Sequence, residues 1–191
     1  MKDVSQLGDS VSDEAIVLAV RTWVETFVVG MNLCPFAKRE LVKNRVRFVT
    51  TAATTQEQLL MVLQAELKLL NTDPSVETTL LIHANVLQDF YDFNDFLSTA
   101  DSLLVDMELD GTYQIASFHP DYQFAGTQTG DAENYTNRAP YPVLHLLREE
   151  SLERVIADYP DVDGIPERNI KLMNDLGPDK LQTLLKSCLS D

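Results

Sequence analysis

Cysteine is scarce in this sequence: Cys34 and Cys188 are the only two among 191 residues. Two thiols so far apart cannot build a disulfide scaffold, and they form no metal-binding pair. Long apolar runs are missing as well. None approaches the roughly 18–20 residues that cross a bilayer. There is no Walker loop, no Gly-x-Gly-x-x-Gly, no His-Glu-x-x-His and no Gly-x-Ser-x-Gly, which removes the most recognisable nucleotide, zinc and serine-hydrolase chemistries. Positive charge is short too. Fifteen Lys and Arg face thirty Asp and Glu, for a net charge of −15. Such a chain repels phosphate backbones and anionic bilayers, so neither nucleic acid nor a membrane surface is an expected partner. Free thiols without a signal-peptide pattern point to a cytoplasmic setting.

What is present is a periodic pattern of helices and strands. Residues 1–11 read as a loose acidic tail, and 12–191 as a single α/β domain. Ser12 is a plausible N-cap for a helix whose apolar face holds Ile16, Val20, Trp23 and Phe27, with Gly30 as its left-handed stop. Pro35 suits the first position of a short second helix, which would place Cys34 at its N-cap. Arg45 to Thr50 alternates as a strand. Thr55 and Gln58 form a capping box before a leucine-striped helix. Thr79 to His83 is an apolar run of the buried-strand type. A long helix from about Phe90 to Met107 follows, then a strand from Tyr113 to Phe118. Val143 to Arg148 reads as a helix, and helices fill the rest, started near Ser151, Pro166 and Pro178. Strands alternating with helices predict a small, mostly parallel sheet flanked by helices, with a helical C-terminal third. Three strands are few, and an edge strand within Phe124–Tyr135 is a further expectation.

The stretch from Gln114 to Arg148 draws the functional reading. About two dozen residues separate strand from the next element, and loops that long are usually functional or disordered. In open parallel sheets, ligands bind beyond the carboxyl ends of the strands. Those ends are Thr50-Thr51, His83-Ala84-Asn85 and His119-Pro120-Asp121. If the short helix after Cys34 lies antiparallel to the first strand, Cys34 returns to that edge and can meet His119. Cys34 at a helix N-terminus would carry more thiolate character and act as nucleophile or redox thiol, with His119 as acid/base.

Arg138 stands alone in charge. No Lys or Arg occurs between Lys68 and Arg138, while that interval holds a dozen acidic residues. Arg138 is expected either to hold an anionic substrate with its planar fork or to pair with a buried carboxylate such as Asp131 or Glu133. Asn134, Tyr135, Asn137 and Asn85 would supply orienting hydrogen bonds. The leading expectation is thus an enzyme acting on a small anionic molecule, without a cofactor. One alternative is a non-catalytic module that binds a small ligand or peptide. Another is a metal-dependent hydrolase with His119 and Asp121 as ligands.

Three stretches also carry a resemblance: Asn32-Leu-Cys-Pro-Phe-Ala37, Phe118-His-Pro-Asp-Tyr-Gln-Phe124 and Asn137-Arg-Ala-Pro-Tyr-Pro-Val-Leu-His-Leu-Leu-Arg148. They resemble an uncharacterised bacterial family, domain-of-unknown-function family 1415. The resemblance implies that these stretches belong together and implies no chemistry.

Overall fold

The computed structural model describes residues 11–157, 159 and 161–189. The tail expected over residues 1–11 therefore lies, but for Val11, outside the described residues. The first helix, α1 (Asp13–Trp23), is capped by the Ser12 hydroxyl, which accepts from the Ala15 N–H at 3.2 Å. It runs directly into a π-helical turn over Val24–Val29. Gly30 is not the left-handed stop expected of it, since its φ is −63°. Asn32 takes the left-handed conformation instead, at φ 54°. Gly30 is needed for closeness: a Cβ there would collide with the carbonyl oxygen of Thr26.

The remaining order is α2 (Ala37–Val42), β1 (Val46–Thr50), α3 (Gln56–Thr72), β2 (Thr78–Ile82), α4 (Phe90–Asp106) and β3 (Tyr113–Phe118). A 3-10 turn over Ala132–Thr136 follows. The chain then forms β4 (Val143–Arg148), α5 (Glu149–Ala157), α6 (Ile165–Leu176) and α7 (Pro178–Ser187). The architecture is α/β with a helical C-terminal segment, as the alternating pattern predicts.

The sheet order is β1-β2-β4-β3. β1 pairs parallel with β2, while β4 pairs antiparallel with both β2 and β3. The first three strands thus run the same way, and the fourth is inserted between β2 and β3. Two of the three adjacent pairings are therefore antiparallel, so the mostly parallel sheet expected is not formed, because the returning β4 separates β2 from β3. The fourth strand is not the Phe124–Tyr135 edge strand expected. It is the segment read as a helix, Val143–Arg148, and it lies inside the sheet. A strand inside a sheet with one face in the core and the other partly covered can read as one apolar run, and periodicity cannot separate that from a buried helix.

The crossovers β1-α3-β2 and β2-α4-β3 progress in one direction across the sheet, so shared handedness puts both helices on one face. There Leu59, Leu63, Leu67, Phe93 and Phe96 pack on Leu81, Leu144 and Leu146. Arg47 also points to this side, and its Nε and Nη2 bond both carboxylate oxygens of Glu66 at 2.7 and 3.0 Å. The other face carries Leu80, Ile82 and Val143. It is covered by Ile16, Val20, Trp23 and Phe27 from the N-terminal helix and by Met173 and Leu181 from α6 and α7.

Candidate functional site

The second face of the sheet is not covered throughout. Between it, the π-helical turn, α2 and α5 lies a cavity of about 520 Å³. Its floor is sheet: Val46, Thr78, Leu80, Ala116 and His145, with Phe118 beside them. Trp23, Val24 and Val28 form one wall and Cys34 to Ala37 another. Leu152 and Val155 of α5 face it from above. The ring of Phe36 meets Tyr159 edge-on at 5.5 Å across the boundary. Neither α2 nor α5 contains a fully buried residue. Elements with so little buried apolar surface open at low cost, and here they flank the cavity. π-turns recur at functional sites, and this one supplies a wall.

The charge at the cavity reverses that of the chain. Arg39, Arg45, Arg148 and Arg154 border it, against Glu40 and Glu77. Arg45 bridges Glu40 and Glu77. Arg148 spends its fork on the protein: Nη1 donates to the Tyr113 hydroxyl at 3.0 Å, and Nη2 donates to the carbonyls of Leu70, Asp73 and Val76. Among the described residues no carboxylate forms an ion pair with it, although Asp73 feels its charge from farther off. Arg39 and Arg154 each hold one exposed ion pair, with Glu40 and Glu150. Such pairs are weak and exchange readily, so these two side chains can turn to a ligand.

His145 is positioned by β4. Alternation along that strand turns Val143, His145 and Leu147 to the cavity side, and the register sets His145 opposite Leu80 and Ala116. The Thr78 hydroxyl lies 2.6 Å from the Leu146 carbonyl oxygen and 2.7 Å from His145 Nε2. A hydroxyl has one proton and a carbonyl can only accept. The proton therefore goes to Leu146, and Nε2 must donate to Thr78. His145 is thus the Nε2–H tautomer with its lone pair on Nδ1. The ring is wetted by the cavity on one side yet lies deep below the exterior, and burial lowers its pKa to about 4.

The expected partner of Cys34 lies elsewhere. Cys34 is half-buried at the cavity wall, two residues before the N-cap of α2 at Phe36, so it is not itself the helix cap. His119 is fully buried on the opposite face of the sheet, with its ring 5.2 Å from Phe93 and 5.6 Å from Phe90 of α4. The shared edge expected for Cys34 and His119 is therefore not formed. The reason is pleat parity: Ala116 and Phe118 face the cavity, and the odd-numbered positions of β3 face α4. Both ring nitrogens of His119 are also engaged. Nδ1 accepts the Asp121 N–H at 3.0 Å, which leaves Nε2–H to donate to the Leu87 carbonyl at 3.2 Å. Burial lowers its pKa, opposed by the hydrogen bond to Leu87 and by Asp121 and Asp89. His119 is therefore a neutral structural connector. Asp121 meets it through its backbone, and no group of three or more candidate metal ligands occurs among the described residues. The donor set does not fit the metal reading.

The long loop is tied to itself. Asn134 is fully buried: Oδ1 accepts from the Phe124 N–H at 3.0 Å and the Thr127 hydroxyl at 2.9 Å, and Nδ2 donates to the Gln128 carbonyl at 2.8 Å. Arg138 donates through Nε to the Tyr122 carbonyl at 3.1 Å and through Nη2 to the Thr129 carbonyl at 2.8 Å. It pairs with no carboxylate among the described residues, Asp131 and Glu133 included. The expected ion pair is therefore not formed among the described residues, while Arg138 also lines a smaller cavity of about 160 Å³ with Asp121 and Tyr135. Tyr135 is buried, and Asn137 joins the loop to β3 through Nδ2 and the Ser117 carbonyl at 3.3 Å. Asn85 sits exposed in the β2–α4 turn. None of these borders the large cavity.

Sequence reasoning thus named one cavity residue, Cys34, and missed His145, Arg39, Arg45 and Arg148. The signal for His145 was the alternation of Val143, His145 and Leu147, hidden by reading that run as a helix. No helix among the described residues is long and apolar enough to cross a membrane. No curated protein and no solved structure matches the chain. One family does, over residues 15–183, covering all three stretches that carried the resemblance. The chain belongs to that family, the protein of unknown function DUF1415.

Proposed function

We propose that this protein binds a small amphipathic acid in the cavity on the second face of its sheet. The carrying observation is the reversal of charge: four arginines and two glutamates border an apolar cavity in a chain of net charge −15. Apolar pockets of roughly 300–1,000 Å³ with a few placed polar groups are the usual form of small-molecule sites. The apolar body would lie against Leu80, Phe118 and Val155, and the acidic head would reach Arg39 or Arg154. A binding protein of this kind works in the cytoplasm without a cofactor. The test is thermal melting with medium-chain fatty acids beside the matching alcohols. Stabilisation by the acids alone, weakened in Arg39→Ala and Arg154→Ala, supports the reading. Equal response to acids and alcohols, or no response, defeats it.

A second reading makes the cavity catalytic, because Cys34 and His145 both line it. The Cys34 thiol would lose its proton to water and its sulfur would attack the carbonyl carbon of an acyl thioester; the C–S bond of that thioester would break, and the departing thiolate would take a proton back from water. Mass spectrometry after incubation with medium-chain acyl thioesters tests this. A single acyl adduct on Cys34, lost in Cys34→Ser, favours it, whereas an unmodified protein leaves binding alone.

A further inference from the structure

The lining of the cavity holds several polar atoms without a protein partner: the buried Trp23 Nε1 and Glu77 Oε1 at its walls and, on its floor, the half-buried Nδ1 of His145. The Thr78 hydroxyl, 2.6 Å from the Leu146 carbonyl and 2.7 Å from Nε2, commits the ring proton to Nε2. Leu146 is fully buried and Thr78 is 8% exposed, so this relay is shielded from rearrangement. Nδ1 then carries a fixed lone pair and has no donor among the described residues, while the ring lines the cavity. Its neighbours there are apolar: Leu80 and Ala116 by register, and Phe118 with ring centres 6.1 Å apart.

A fully apolar ligand filling this space would displace water and strand the lone pair, which is costly in a dry site. A ligand that brings an O–H or N–H to Nδ1 escapes that penalty. From the geometry we infer that the ligand is an amphipathic acid that also carries a hydroxyl on its apolar body, and that His145 selects it by accepting that hydroxyl's proton in a hydrogen bond. His145 is a specificity-determining residue in this account, and the lone pair is held in place by Thr78. The inference rests on the proposed binding of amphipathic acids and names the class among them. No proton is transferred and no bond is broken.

Calorimetry with the intact protein tests it, using decanoate and its chain-hydroxylated analogues as probes. Trp23, the only tryptophan, lines the cavity and reports occupancy by fluorescence. At least one hydroxylated acid is expected to bind roughly tenfold tighter than decanoate. Nitrogen NMR should show the His145 Nδ1 resonance moving with that acid and staying still with decanoate. Two substitutions divide the ring's functions. His145→Gln keeps a donor toward Thr78 and loses the acceptor at Nδ1, so the tenfold preference should fall to about onefold. His145→Asn keeps an acceptor near Nδ1 and should retain most of the preference. Equal affinities for all the acids in the wild type, or a preference that survives His145→Gln, overturn the inference and leave acid binding intact. Failure of every acid to bind overturns the underlying reading as well.

Discussion

The guanidinium of Arg138 lies 4.7 Å above the ring of Tyr135. Both side chains are buried, and both belong to the loop that joins β3 to β4. The stacked fork bonds two backbone carbonyls from separate parts of that loop, those of Tyr122 and Thr129. Arg138 is a staple built from cation–π contact and charge-assisted hydrogen bonds.

Replacing it should therefore cost stability. A lysine keeps the charge but cannot bridge two carbonyls while lying flat on a ring. Arg138→Lys is expected to lose about 2–4 kcal/mol, from one to two hydrogen bonds to a charged group. Urea unfolding measures it. A loss under about 0.5 kcal/mol, within the range of ordinary surface changes, together with anion-dependent melting in the wild type, would return Arg138 to the role of ligand clamp.

Asn134 and Asn85 should behave in opposite ways. Asn134→Ala removes three hydrogen bonds in a fully buried site and strands the Phe124 N–H, at a cost of about 2–4 kcal/mol. Asn85→Ala, on an exposed turn, should stay within about 0.5 kcal/mol. Parallel melting curves of the two variants decide the matter, and a destabilised Asn85→Ala would contradict the assignment.

Gly30 connects local backbone to the cavity. A methyl group there collides with the Thr26 carbonyl oxygen inside the π-turn that carries Val28 into the wall. Gly30→Ala should cost about 1–3 kcal/mol, as overpacking does. It should also shift the emission of Trp23, the residue just before the turn. Unchanged emission and melting would show that the π-turn relaxes freely.

Acid should weaken the fold through two histidines, His83 in the core and His145 on the cavity floor. His83 and His145 both have folded pKa values near 4, against an ordinary 6.5, chiefly because burial disfavours the charged ring. Above pH 6.5 both are neutral folded or unfolded, and stability is at its full value. Between 6.5 and about 4 the unfolded chain takes up protons that the folded one refuses. Stability then falls as pH falls, by at most roughly 1 kcal/mol per pH unit for each histidine. Below about 4 the folded state titrates too and this contribution levels off. Denaturation at several pH values, in wild type and His145→Gln, isolates one histidine from the carboxylates that titrate nearby. Parallel pH profiles for the two proteins would rule the contribution out.

Much of the framework was legible because it depends on short-range pattern. The Ser12 and Thr55 caps, the leucine stripe of α3 and the proline starts of α6 and α7 are local signals with local causes. The alternation of strands and helices determined the α/β class, and β1, β2 and β3 indeed run the same way. The sequence alone also marked Cys34, Phe118–Phe124 and Asn137–Arg148 as belonging together.

Only tertiary structure decided the site. Whether Val143–Arg148 is a helix or a strand depends on what covers it, since an apolar run satisfies either. Once it becomes β4, pleat parity turns His145 to the cavity and leaves His119 under α4, and no local property of either histidine distinguishes them. The same holds for Arg138 and Arg148. One arginine looked isolated along the chain, and the other unremarkable. Folding gave Arg138 carbonyl partners within its own loop and set Arg148 beside the cavity, where no carboxylate among the described residues forms an ion pair with it. Charge order along a chain says little about charge order in space, because the strand order β1-β2-β4-β3 rearranges neighbours that sequence keeps apart.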